Sequence, residues 1–160
     1  MLGSFFVVNI DVAYIPTPKD IVRKMLMLAH VRRGETVFDL GAGDGRVLIE
    51  AVRGFRARAV GVEVDPARVA IIKERLSRTG VEAEVIQDDF MNVNVSKADV
   101  VAIYLSASVN EKLGPKLKNE LKSGARVVSL DYSLAGWKEA RKFTTVSGGV
   151  SRKIFLYELA

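Results

Sequence analysis

The sequence predicts an α/β fold: a mostly parallel seven-stranded sheet, helices on both faces, and an antiparallel hairpin at the C-terminus. Three observations carry this. Short apolar runs with strand character alternate with helical patterns five times along the chain. A glycine-rich loop, "GAGDG", follows the first of those runs. The last two runs are separated by "GG" instead of a helix. The 160 residues are expected to form one domain, with residues 1–34 as lead-in and first helix and residues 35–160 as an α/β ligand-binding core.

In chain order, the first twelve residues read as an extended lead-in. "YIPTPKD" then starts a helix, with Thr17 expected as N-cap, Pro18 in the first helical position and Asp20 in the acid-favoured first turn. Ile21, Met25 and Leu28, with Val22, Leu26 and Ala29, recur at helical spacing, and Gly34 closes the region. Thr36 to Leu40 is a short buried strand. After the glycine loop, "GRVLIEAVR" is a helix opening at Gly45. Ala59 to Val64 is the second strand, and Asp65 caps a helix that begins at Pro66 and ends at Gly80. "AEVIQDD" contains a third strand. "ADVVAIYL" is a fourth, apolar almost throughout, which fits a central parallel strand buried on both faces. Val109, Leu113, Leu117 and Leu121 form a helical stripe that Pro115 is expected to split in two at Gly114. "ARVVSLDY" is the fifth strand, and "RKFTTV" and "SRKIFLYEL" form the hairpin.

Composition excludes several chemistries. There is no cysteine, hence no disulfide, thiolate metal site or cysteine nucleophile. The single histidine, His30, sits at a helix end and cannot build a zinc site alone; no G-x-S-x-G elbow accompanies it. No metal is expected. Apolar runs are too short for a membrane span, and the N-terminus lacks the basic lead and cleavage site of a signal peptide, so the cytoplasm is the expected location. The net charge of +5 mildly favours an acidic partner such as nucleic acid, but the cations are interspersed with acids along the chain, which favours an ordinary basic surface.

The glycine loop carries the functional signal. In open parallel sheets ligands bind beyond the carboxyl ends of the strands, where strand order reverses. Gly41, Gly43 and Gly45 allow a tight turn and close approach of a ligand. The dinucleotide spacing is G-x-G-x-x-G, whereas here it is G-x-G-x-G, with Asp39 before it and Asp44 inside it. Those acids would repel a pyrophosphate by about 1–4 kcal/mol per close pair at 4 Å. They suit a cationic ligand without phosphate, and S-adenosylmethionine has an ammonium, a carboxylate and a sulfonium. Asp39 is the candidate partner of the ammonium, with Asp44 shaping the loop. Gly41, Ala42 and Gly43 form the backbone cradle. Glu63, followed by Val64, ends the second strand and can accept two hydrogen bonds from ribose hydroxyls. Asp89 can accept from the adenine amino group while the Phe90 N–H donates to a ring nitrogen.

These motifs resemble class I S-adenosylmethionine-dependent methyltransferases: "DLGAGDGR" is similar to their first motif, "GVEVD" to their acidic second strand and "QDDF" to their adenine-side loop. Ala42 replaces the serine usual in that loop. "YIPTP", "DDF", "IYLSASVNEKLGPKLKNEL" and "ARVVSLDYSLAGW" together resemble the small archaeal protein-lysine methyltransferases of broad specificity, which in turn resemble mitochondrial lysine methyltransferases with added membrane-targeting segments. The resemblance implies a Rossmann-like methyltransferase fold, S-adenosylmethionine as cofactor, and methyl transfer to lysines of protein substrates by a monomeric catalytic domain.

Two tyrosines are the catalytic candidates. Tyr104 ends the fourth strand, where its ring can wall a lysine channel; a packing role is the alternative. The surrounding "IYLS" lacks the paired prolines of adenine N6-methylating enzymes. Tyr14, with Pro16 and Thr17, is expected to cover the cofactor. Asp131 and Tyr132 line the entry in this reading, and Trp137 is either rim packing or a substrate contact. The alternatives are an RNA methyltransferase, supported by pI ≈ 9.6, and a cofactor-binding module without catalysis.

Overall fold

The computed structural model describes residues 15–160. Its elements in chain order are α1 (Lys19–Leu28), β1 (Thr36–Leu40), α2 (Arg46–Phe55), β2 (Arg58–Val62), α3 (Pro66–Thr79), β3 (Glu84–Ile86), a 3-10 turn (Phe90–Asn92), β4 (Val100–Ile103), α4 (Ala107–Glu120), β5 (Arg126–Leu130), β6 (Arg141–Ser147) and β7 (Val150–Glu158). The seven strands form one sheet in the order β3-β2-β1-β4-β5-β7-β6. The pairs from β3 across to β5 are parallel, and β7 runs antiparallel to both β5 and β6. This is the predicted architecture, hairpin included. Strand order reverses between β1 and β4, which makes the carboxyl ends of those two strands the place where an open sheet binds ligands.

Alternation along each strand divides the core into two layers. Val37, Ala59, Val100, Ala102 and Val128 face α1, α2 and α3, meeting Ile21, Leu26, Leu48 and Ile72. Their neighbours Phe38, Val60, Val101, Ile103 and Val127 face the other side, where Leu113 and Leu117 of α4 pack. All four residues of β4 are buried, as its unbroken apolar run requires.

The structure departs from the sequence-based expectations at several ends. Thr17 does not cap α1: Pro18 occupies that position in an extended conformation (φ −55°, ψ 141°) with no side-chain cap. The Thr17 carbonyl is engaged elsewhere, accepting from Arg46 Nη1 at 2.7 Å. Pro115 does not split α4, which runs unbroken through it. Proline forfeits one backbone bond there, while Leu113, Gly114 and Leu117 are buried on either side and hold the helix in one piece. Gly114 faces Trp137, whose Nε1 would lie 3.1 Å from an added Cβ. The strands also stop early, so that Glu63, Tyr104 and Asp131 each stand just beyond the last paired residue. The N-terminal lead-in and Tyr14 lie outside the described residues.

At the hairpin, Gly148 (φ 55°) and Gly149 (φ 78°) both occupy the left-handed region, as a two-residue turn between twisted antiparallel strands demands. Gly61, in the middle of β2, has a different role. A Cβ there would lie 2.6 Å from Leu48 Cδ1 and 3.0 Å from the Ala42 Cβ. α2 and the glycine loop can therefore settle onto the sheet only because residue 61 has no side chain. Gly61→Ala is expected to destabilise the protein by about 1–3 kcal/mol through overpacking, read as a lowered thermal midpoint. An unchanged midpoint would mean that Leu48 moves aside freely.

Candidate active site

Gly41 (φ 86°), Gly43 (φ 60°) and Gly45 (φ 83°) all adopt left-handed backbone, which explains glycine at each alternate position of the loop. The loop is anchored at its start by the Gly41 and Ala42 N–H groups, which both donate to the Val62 carbonyl at 2.8 and 2.9 Å. Further on, the Gly43 N–H donates to Glu63 Oε1 at 2.9 Å. The other oxygen of Glu63 accepts from the Asp65 N–H at 3.0 Å. Glu63 is 4% exposed, so a buried carboxylate ties the glycine loop to the turn after β2. Each of its oxygens keeps a second lone pair for a ligand donor.

Asp44 has other partners. Its carboxylate meets Arg46 at 2.6 Å and Arg75 at 2.8 Å. Partial burial raises its pKa, but hydrogen bonds and charge from Arg46, then charge from Arg75, outweigh that and hold it below the usual carboxylate range. Arg75 also donates to the Asp44 carbonyl at 2.9 Å, and Arg46 reaches the Thr17 carbonyl. Asp44 thus shapes the loop and, through Arg46, fastens the chain entering α1 to it.

Asp39 differs from both. It is 6% exposed, and among the described residues its carboxylate has no hydrogen-bond or ion-pair partner. Burial first, then the charges of Glu63 and Asp44, push its pKa well above the usual range. A carboxyl placed there, at the carboxyl end of β1 beside the switch point, is stabilised as the anion only when a cation arrives.

Asp89 is exposed and caps the 3-10 turn, accepting from the Met91 N–H at 2.9 Å. Its neighbour Phe90 is half-buried and packs on the core. Val64 is half-buried between Glu63 and Asp65. Among the described residues the candidates therefore gather along one edge of the sheet, at the end of β1 and after β2, β3 and β4. Contact also crosses the reversal point, since a Cβ on Gly41 would meet Leu105 Cδ2 at 3.3 Å.

Half-buried Tyr104 follows β4, and the Arg152 guanidinium lies 5.3 Å from its ring centroid. The loop after β5 is pinned from three sides. Fully buried Asn110 donates to the Tyr132 and Ser133 carbonyls at 3.2 Å. The Tyr157 hydroxyl accepts from the Leu134 N–H at 2.8 Å. Arg152 pairs with Asp131. Trp137 packs edge-on against Tyr157, with 5.7 Å between ring centroids. Sequence reading missed Asn110, Arg46 and Arg152. Only Asn110 left a signal, as a polar residue beside an apolar helical stripe.

The residues fit S-adenosylmethionine on structural grounds: among the described residues, a buried carboxyl without a partner, a cradle of left-handed glycines, and no cation in the loop left to receive a phosphate, since Arg46 and Arg75 are committed to Asp44. Fold and site define the class, a Rossmann-like methyltransferase that uses S-adenosylmethionine. A crystal structure of an RNA methyltransferase from Salinibacter ruber in complex with S-adenosyl-L-homocysteine matches with a TM-score of 0.84 at 38% identity, covering 91% of this chain and 94% of that one. Residues 39–141 match the family model of the ANTKMT methyltransferase domain, and the chain belongs to that family. It is 39% identical over 149 residues to a protein-lysine N-methyltransferase of Saccharolobus islandicus, covering 91% of this chain and 92% of that relative. The adenine nucleotide translocase lysine N-methyltransferase of Mus musculus is 31% identical, and the chain spans 65% of its length.

Two outcomes follow for the carboxylates. Asp39 has a folded-state pKa above its unfolded one, so its contribution to stability is full at low pH and lost as pH rises through the folded value. Cofactor-free Asp39→Asn is expected to lack that loss with rising pH, and to bind the cofactor at least tenfold more weakly, about 1.4 kcal/mol. Thermal midpoints against pH and calorimetric titration check both; equal affinity in the variant would remove Asp39 from the site. Glu63→Gln presents an NH₂ group to one of two backbone N–H donors. It is expected to lower the thermal midpoint and to weaken cofactor binding at least tenfold, again about 1.4 kcal/mol. Calorimetry at wild-type affinity would limit Glu63 to shaping the loop.

Proposed function

We propose that the protein transfers methyl groups to lysine side chains of proteins, acting as a monomer with broad acceptance of substrates. The observation that carries the lysine assignment is the 39% identity to a protein-lysine N-methyltransferase across 92% of that protein's length. When bound, S-adenosylmethionine supplies an electrophilic methyl group on its sulfonium.

The chain's own residues divide the remaining work. Asp39 would pair with the cofactor's ammonium beside the cradle of Gly41, Ala42 and Gly43, whose own N–H groups are committed to the Val62 carbonyl and to Glu63. Glu63 takes the ribose hydroxyls on the lone pairs that Gly43 and Asp65 leave open, with Val64 alongside. Asp89 and the Phe90 N–H meet the adenine, Asp89 through the capacity left after it caps the 3-10 turn. Tyr104 walls the channel through which the amine approaches, and Tyr14 is assigned from sequence alone to the cover over the reacting groups. A lysine must arrive neutral, because its ammonium has no lone pair. Desolvation beside the Tyr104 ring and the approaching positive charge both favour the neutral form. Holding amine and methyl in line then supplies much of the rate.

RNA is the second reading. It has two observations in its favour: the Salinibacter ruber structure is described as an RNA methyltransferase, and the chain carries a net charge of +5. Incubation with radiolabelled S-adenosylmethionine and total cell extract, followed by protease or nuclease, separates the two. Label that protease releases and mass spectrometry maps to lysine is the expected result. Label released only by nuclease would overturn the protein assignment, and cofactor binding without any labelled product would leave a binding module.

Tyr104→Phe keeps the ring and removes the hydroxyl. Cofactor affinity is expected to stay within twofold while turnover on protein substrate falls. Unchanged turnover would show that the ring alone matters.

A further inference from the structure

β7 does more than close the sheet. Its pairing with β5 ends at Ile154 opposite Leu130, so Arg152 stands two residues beyond, over the point where β5 has finished. There Asp131 adopts left-handed backbone (φ 63°), a conformation that aspartate tolerates better than most residues but that still needs support. β7 supplies it. The Asp131 N–H donates to the Lys153 carbonyl at 2.7 Å, and Asp131 Oδ1 accepts from the Lys153 N–H at 3.1 Å. The second oxygen, Oδ2, accepts from Arg152 Nε at 2.9 Å and lies 2.8 Å from Nη2.

This grip aims the guanidinium. Its carbon lies 5.3 Å from the centroid of Tyr104, within the range of a cation–π contact. The Arg152 side chain is only 11% exposed, unlike a surface pair such as Arg23–Glu50, whose arginine is 61% exposed. Arg152 therefore spans the end of β5 and reaches from β7 to the residue after β4. Lysine has no planar face for the ring and no fork for the carboxylate, so it cannot make both contacts in this way.

We propose that Arg152, aimed by Asp131, is a positioning residue for methyl transfer: it holds the Tyr104 ring as a fixed wall of the amine channel, an assignment that rests on the reading of Tyr104 given above. The core packs against the Tyr104 side chain; without Arg152 the ring loses its polar brace and can turn from its wild-type orientation, and the amine is less often in line with the methyl group. Cofactor binding, built on β1 to β3, is not involved.

The test uses the full chain, labelled S-adenosylmethionine and casein as a lysine-bearing substrate. Arg152→Gln is expected to lower kcat at least tenfold while the cofactor dissociation constant stays within twofold. Arg152→Lys, which keeps the charge, should recover less than a third of wild-type kcat. In a Tyr104→Ala background, Arg152→Gln should add no further loss, because the group it positions is gone. A crystal structure of Arg152→Gln with cofactor should show the Tyr104 ring turned from its wild-type orientation. Losses that multiply in the double variant, or a ring that stays in place, would overturn the proposal. Full kcat in Tyr104→Ala would remove the Tyr104 reading, and this proposal with it; a slow Tyr104→Ala beside a fully active Arg152→Gln would remove this proposal alone. Should Arg152→Gln fail to fold, Asp131→Asn breaks the pair with a residue equally at home at positive φ, and the same non-additivity with Tyr104→Ala is required.

Discussion

The site depends on one buried carboxylate. Glu63 accepts from the Gly43 N–H with one oxygen and from the Asp65 N–H with the other, and so joins the glycine loop to the turn after β2. Bonds from a neutral donor to a buried charge contribute about 1.5–3 kcal/mol each, and burial makes their loss costly. Gly43 sits in left-handed backbone with its N–H directed at that acid. Gly61, between them on β2, lets Leu48 and Ala42 come close enough for the loop to lie over the strand. Remove the carboxylate and the glycines retain their freedom, but nothing selects among the conformations they allow.

That joint explains why two further acids can stand so near. Asp44 is compensated twice, by Arg46 and Arg75, and remains charged. Asp39 is left uncompensated among the described residues, and its pKa rises. The asymmetry separates structure from function within a few residues. The satisfied acid fixes the loop, and the unsatisfied one holds a potential that only a cation relieves. A phosphate ligand would meet the opposite arrangement, because the two arginines that could receive it already point at Asp44.

Much of this was legible in the sequence, because short-range chemistry wrote it. The hydrophobic periods gave the strands and helices, and the diglycine between the last two runs gave the antiparallel hairpin that distinguishes this sheet from a dinucleotide fold. Acids at the ends of successive strands gave the candidate site. The illegible parts are those where tertiary contact outweighs local preference. Thr17 has the makings of a cap, yet its carbonyl is drawn to Arg46, far along the chain. Pro115 is a helix breaker by local rule, but α4 is buried on both sides of it. Packing was one of two readings open for Trp137, but its partners, Tyr157 and Gly114, depend on how β7 and α4 meet.

Arg152 is the instructive case of long-range placement. In sequence it is one basic residue in "SRKIF", indistinguishable from the lysine that follows. What sets it apart is the reversal of β7, which returns the chain alongside β5 and carries residue 152 past the end of its neighbour. The antiparallel strand thus has a geometric consequence that a parallel one would not share: its early residues, not its late ones, overhang the carboxyl edge where the site lies. Parallel strands β1, β2 and β4 present their last residues and those that follow to that edge, where Asp39 at the end of β1, Glu63 after β2 and Tyr104 after β4 stand. β7 presents residues near its start. The two halves of the candidate site are therefore built by opposite chain directions, the acidic half from strand exits and the Tyr104 half braced by a strand entry. Asp131 at φ 63° is where they meet, held by hydrogen bonds from β7 in a backbone conformation that an isolated strand end would not choose.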